Sequence, residues 1–179
     1  RQRQMCIRDS NITANDSHGI GLVSSASNSI SENNITSNQR GITFNRSSNN
    51  TISGNNITNR EAGIWLIESS NNMLRNNKLA NDLLNFCIYG NTLSDFVNDV
   101  DASNMVDGKP VYYWVNKRNM IVPFDAGLVV LVNSTNITVK DLNLTKNDPC
   151  ILLAYTTNTT ITKNHIANIA NNGNGISLY

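Results

Sequence analysis

Acid–base chemistry on a sugar chain needs two carboxyl groups, or a carboxylate and a partner, held a fixed distance apart. One acidic cluster could supply them: Asp95, Asp99 and Asp101. Asp99 and Asp101 are two residues apart, and in a strand they share a face at about 7 Å from one another, a separation open to acid and base roles. Asp107 and Lys109 follow, then Tyr112, Tyr113 and Trp114. Aromatic rings beside charged groups suit a sugar-contacting groove, where rings stack and charge-assisted hydrogen bonds fix hydroxyls. Asp99, Asp101, Asp107, Lys109, Tyr112, Tyr113 and Trp114 are therefore the candidate carbohydrate contacts. The plainer alternative makes the aromatics the cover of an elongated structural layer and the carboxylates a solvated face. No catalytic residue is assigned.

The elements that carry these side chains are set by a repeat. Ile20, Ile42, Ile64 and Phe86 lie 22 residues apart, and Leu22, Phe44, Leu66 and Ile88 keep that spacing. Ile30, Ile52, Leu74 and Phe96 follow in step, as do Ile35, Ile57 and Leu79. Alternation of Ile42 and Phe44 about Thr43 is that of a half-buried strand. Ile52 and Ile57 are five apart, which cannot face one way in a single strand, so the chain bends between them. Asn55 sits at the bend, with Asn33, Asn77 and Asn164 in the same slot. Asn tolerates the left-handed backbone of a tight corner, and amides stacked turn upon turn form a hydrogen-bonded ladder.

Burying an aliphatic side chain contributes about 1.5–3 kcal/mol, whereas ordering each residue costs roughly 1–2 kcal/mol. A unit with so few aliphatics cannot stand alone, and stacking into a solenoid is required. Left-handed β-helices repeat in sixes, calcium-binding nonapeptides need Gly-rich, Asp-bearing turns, and leucine-rich repeats need a denser leucine motif. The expected fold is all-β, a right-handed single-stranded parallel β-helix with rungs of about 22–24 residues. Rungs are expected over 11–100 and 127–179, with an irregular segment at 101–126 between them. In that segment Asp107-Gly108 signals a turn, Val111 to Val115 a strand or hairpin arm, and Asn116 to Asn119 its polar turn. The last unit is cut off after Ile176 and Leu178, so the chain is expected to be a fragment with neighbouring domains.

Composition narrows the function. Asparagine accounts for 33 of 179 residues, which disfavours helix because Asn competes with the backbone for hydrogen bonds. With 14 basic against 13 acidic residues and no basic block, a nucleic-acid partner is not expected. No apolar run approaches a membrane span, and no leader peptide is visible. Three cysteines are too few for a disulfide framework and leave the redox compartment unread. Met5 to Ser10 read as a translated transposase mosaic end of a sequencing library, so residues 1–10 are expected to be a non-native segment.

The units Asn34-Ile35-Thr36, Gly41-Ile42-Thr43-Phe44 and Asn49-Asn50-Thr51-Ile52 resemble the NosD-like parallel β-helix repeats, also grouped as CASH (carbohydrate-binding and sugar-hydrolase) domains. Val106 to Trp114 resembles a segment that recurs within such repeats. The resemblance implies an extracellular or cell-surface location, a structural or carbohydrate-binding role without catalysis, and polysaccharide or cell-envelope glycans as partners. A polysaccharide-acting lyase or glycoside hydrolase is the rival, since a fold does not imply a function. The family name also invites copper-site maturation, but soft sites gather Cys, Met and His. His18 and His165 fall in opposite terminal rungs, Cys87 alternates outward, Cys150 takes a Gly slot, and Met73, Met105 and Met120 share no repeat position. No metal site and no cofactor is expected. Sequons at Asn11, Asn34, Asn49, Asn56, Asn133, Asn136, Asn143 and Asn158 follow from the N-x-T repeat itself and indicate glycosylation only weakly.

Overall fold

Because each repeat carries two corners that break strand parity, each turn of the coil is three short strands. The structure is a computed structural model that describes residues 4–80, 82–167 and 173–179. It is a right-handed parallel β-helix in which one 3-10 turn, Leu93–Phe96, is the sole helical element among the described residues. The first sheet stacks Cys6–Arg8, Ser29–Ser31, Thr51–Ser53, Met73–Arg75 and Asp99–Val100 in that order. The third sheet stacks His18–Val23, Arg40–Asn45, Ala62–Ile67 and Leu84–Tyr89. Pairing is parallel and in register, so Ile30 lies on Ile52 and Ile52 on Leu74, while Phe44 lies between Leu22 and Leu66. These side chains are buried and form one column of aliphatic and aromatic groups. The segment set apart in the sequence also carries a strand: Cys6–Arg8 pairs with Ser29–Ser31, with Ile7 on Ile30.

Every corner of this first coil holds a stack of amides. Asn33 Nδ2 donates to Asn55 Oδ1 at 3.0 Å, Asn55 to Asn77 at 2.9 Å, and Asn77 to Asn104 at 2.8 Å. A second stack runs through Asn28, Asn50, Asn72 and Asn98, and a third through Asn15, Asn38 and Asn59 to Asp82. The left-handed residue stands one place before the ladder amide, at Glu32, Gly54 and Asn76. That residue turns the corner, and the amide behind it points into the stack. Among the described residues Asn164 stacks on no amide, because Leu142 occupies the slot one turn earlier; its side chain accepts from Leu142 N–H at 3.0 Å and donates to Val139 C=O at 3.0 Å.

The second sheet is where the chain changes direction. Asn11–Thr13, Asn34–Thr36, Asn56–Thr58, Lys78–Leu79 and Met105–Val106 stack in parallel. The Asp107-Gly108 turn, positive in φ at both residues, then folds Lys109–Val115 antiparallel onto Met105–Val106. From there Leu128–Val132, Ile151–Ala154 and Ile176–Leu178 extend the sheet, parallel to Lys109–Val115 and opposite to the first coil. A coil that keeps advancing while its strands reverse stays right-handed only by closing on the other face of the sheet. Side-chain parity shows this: Val111, Tyr113, Leu128, Val130 and Val132 join the first core, while Val129, Leu131, Ile151 and Leu153 join a second core with Ile137, Val139, Leu142 and Leu144. The second coil is completed by Arg118–Ile121, Thr135–Lys140 and Thr160–Thr162, and by Asn143–Thr145 with His165–Ala167.

Candidate functional site

Where the first sheet stops at Asp99–Val100, it leaves a groove of about 520 Å³ between its last strand and the returning strand Lys109–Val115. Met73, Val97, Asp99, Tyr113, Val115 and Lys117 are among its lining residues. Tyr113 is buried and donates its hydroxyl to the Phe96 carbonyl, and burial pushes that phenol up. Its ring therefore serves as a fixed wall. Lys117 is exposed at the rim.

Arg75, one rung earlier, holds both carboxylates of the acidic pair. It is ion-paired to Asp99, and its Nε lies 3.2 Å from Asp101 Oδ2. The same guanidinium donates to the Leu74 and Asp99 carbonyls at 2.7 and 2.6 Å. Asp101 also accepts from Ser103 N–H at 3.1 Å and from the Ser103 hydroxyl. Asp95 accepts from the N–H groups of Asn91 and Thr92 at 2.9 Å each and from the Thr92 hydroxyl at 3.0 Å. Burial pulls the Asp95 carboxyl up, but these donors outweigh it and hold the group below its ordinary value.

The remaining candidates lie elsewhere. Asp107 is on the hairpin turn, where its Oδ2 accepts from Asn85 Nδ2 at 3.0 Å and lies 3.9 Å from Lys146 Nζ. Lys109 donates to the Asn143 carbonyl at 2.8 Å. Tyr112 and Trp114 point the opposite way from Tyr113, pack against the second core and meet edge to face at 6.0 Å. Tyr112 donates to Asp125 at 3.0 Å. Of the seven contacts read from the sequence, the structure brings Asp99 and Tyr113 into one groove, with Asp101 beside them through Arg75. Met73, Arg75 and Lys117 are not among the contacts read from the sequence; Arg75 and Met73 sit in the ordinary repeat and carry no local signal of a groove.

The donor set for a soft metal is scattered. Cys87 and Cys150 are fully buried. Burial pushes the Cys150 thiol up to about 11 and Cys87 higher still, so neither is a ready thiolate ligand. Met73, Met105 and His18 stand on separate sheets. Among the described residues no three His, Cys, Asp or Glu side chains gather as a metal site. These residues do not fit copper.

Corners of stacked amides and in-register parallel strands define the chain as a β-helix repeat scaffold. The model of one family, described as "Periplasmic copper-binding protein (NosD)", matches residues 1–116, and the chain belongs to that family. The match covers the first coil, the hairpin and the returning strand. Neither the curated proteins nor the solved structures gave a match. No helix of the described residues is long and apolar enough to cross a membrane.

Proposed function

We propose that the chain is a non-catalytic β-helix module, working outside the cytoplasm, that holds a polysaccharide or cell-envelope glycan in the groove at the end of its first sheet. The groove itself carries this reading: about 520 Å³ of space that joins the Asp99 carboxylate and the Lys117 ammonium to the apolar walls of Met73, Val97 and Val115. A sugar ring presents hydroxyls to the first and C–H faces to the second. Asp99 and Asp101 are both engaged by the Arg75 guanidinium, so in this reading they serve as fixed polar groups of the groove rim and not as an acid and base pair. The periplasmic description of the family supports a place outside the cytoplasm.

A glycan-binding screen followed by assay of each bound ligand for new reducing ends or unsaturated products tests this. Lys117→Ala is expected to weaken binding at least about tenfold, with an unchanged melting temperature and no product from either protein; tenfold corresponds to about 1.4 kcal/mol. Product formation replaces the reading with that of a polysaccharide lyase or glycoside hydrolase. Equal affinity in Lys117→Ala removes the groove. Stoichiometric Cu(I) retained through dialysis would instead favour metal delivery.

A further inference from the structure

The third amide stack ends on an acid. Along this column each side-chain oxygen accepts from the backbone N–H one turn earlier, Asn15 to Asn38 at 3.2 Å and Asn38 to Asn59 at 3.1 Å. Each side-chain nitrogen donates to an isoleucine carbonyl of the preceding turn, Asn38 to Ile12 at 3.1 Å and Asn59 to Ile35 at 3.2 Å. Asp82 takes the next place, and its Oδ1 accepts from Asn59 N–H as an amide oxygen would. Its Oδ2 therefore stands where the NH2 group stood in the rungs before. That oxygen is sealed from solvent and has no hydrogen-bond donor. Gly63 closes over it so tightly that a Cβ there would lie 2.8 Å from Oδ2. The next isoleucine in register after Ile12 and Ile35 is Ile57. An ionised carboxylate would leave Oδ2 buried with no donor, whereas a protonated one can itself donate from that oxygen.

We propose that Asp82 is the neutral acid in the folded chain, donating Oδ2–H toward the Ile57 carbonyl as the last rung of the stack, and that its ionisation loosens the junction between the two coils. Three groups with charge or a labile proton face it. Asp107 on the hairpin turn opposes ionisation, Lys146 beyond Asn143–Thr145 favours it, and the Cys87 thiol lies on the neighbouring third-sheet strand. Burial is the largest influence and, with the Asn59 N–H pulling the other way, leaves the carboxyl pushed up to about 8. The returning chain touches the third sheet at this point, through Asn85 N–H to Lys146 C=O at 2.7 Å and the Asp107 contacts. Between the ordinary carboxylate range and that raised value the folded chain binds one proton more than the unfolded chain. Stability therefore falls as pH rises across that window and levels off above it.

The test is the urea midpoint of the full chain from pH 5 to 9.5, for wild type and Asp82→Asn, with a carboxyl carbon NMR titration of the wild type alongside. Asp82→Asn restores the amide, so its curve should lie above that of the wild type, with a gap that widens from pH 5 to 8 and is then constant. The carboxyl resonance should titrate well above the ordinary aspartate range, and Asp107→Asn should move its midpoint down. Parallel stability curves, or an Asp82 resonance already ionised at pH 6, overturn the proposal. If Asp82→Asn fails to fold, the wild-type resonance and its response to Asp107→Asn still decide the matter.

Discussion

If the stacked amides hold the coil together, removing one should cost far more than removing a surface amide of the same chemistry. Asn55 is fully buried and its side chain makes five hydrogen bonds. It accepts from Asn33 N–H and Nδ2 at 3.0 Å each, and donates to Ile30 C=O at 3.0 Å, Ser53 C=O at 3.2 Å and Asn77 Oδ1 at 2.9 Å. Asn55→Ala leaves the Asn33 N–H without an acceptor in a dry corner, at about 1–3 kcal/mol, and forfeits further bonds worth about 1 kcal/mol net apiece. Asn33 Nδ2 keeps the Ile7 carbonyl, and Asn77 Oδ1 keeps the Asn55 N–H, which limits the loss. The total is roughly 3–5 kcal/mol, or about 6–20 °C in melting temperature for a chain of this size. Asn56 is the control, since it is exposed and its side chain bonds to a neighbouring rung through Nδ2 to Asn34 Oδ1 at 3.0 Å. Asn56→Ala should cost no more than about 0.5 kcal/mol. Urea unfolding followed by far-ultraviolet circular dichroism reads both, with equal m-values as the check that the denatured states match. Equal losses in the two variants would refute the claim that the inner stack carries the corners. A third variant sharpens the contrast: Asn55→Asp keeps an acceptor but loses its donors, so its cost should shrink as the pH is lowered and the carboxyl gains a proton.

Two further outcomes follow from the packing. A Cβ at Gly63 would meet the Asn85 carbonyl at 2.5 Å as well as Asp82, whereas a Cβ at Gly21 has nothing nearer than His18 at 3.9 Å. Gly63→Ala should therefore destabilise by more than about 2 kcal/mol while Gly21→Ala stays within about 0.5 kcal/mol, measured by the same urea titration. The thiols of Cys87 and Cys150 are buried and raised, and Cys6 is exposed. A thiol reagent at pH 8 should thus label one cysteine per folded chain and all three in urea; fast labelling of a second in the folded chain would contradict their burial.

The first coil is legible in the sequence because one rule, an aliphatic every 22 residues, repeats with little interruption. Asn33, Asn55 and Asn77 share that spacing, so their stack can be read directly. The third stack is harder, since its steps Asn15, Asn38, Asn59 and Asp82 are 23, 21 and 23 residues, and the change of residue type hides the last rung. The reversal was signalled by Asp107-Gly108 without its consequence, because a turn signal does not say on which face the chain resumes. The candidate contacts show the same limit. Tyr112, Tyr113 and Trp114 form one aromatic run in sequence, but strand parity sends Tyr113 to the first core and its neighbours to the second. Lys117 reaches the groove only because the strand before it is antiparallel to Met105–Val106.

The groove is a consequence of that reversal. Had the coil continued upward, another strand would have stacked on Asp99–Val100 and filled the space above it. Instead the hairpin returns along the second sheet, and the next coil grows on the opposite face, so the first sheet ends while the second goes on to nine strands. The extra strands must then be apolar on both faces, which explains why Leu128–Val132 is buried at every residue and does not alternate. Val115 and Tyr113 face the unfinished end of the first sheet, and Asp99 is the last residue pair's exposed partner there. A side chain on Lys109–Val115 thus faces the first core and the groove, or the second core, according to its parity. Substitutions at positions 112 and 114 should unsettle the second coil, those at 113 and 115 should act on the groove and the first coil, and those at 117 on the groove alone.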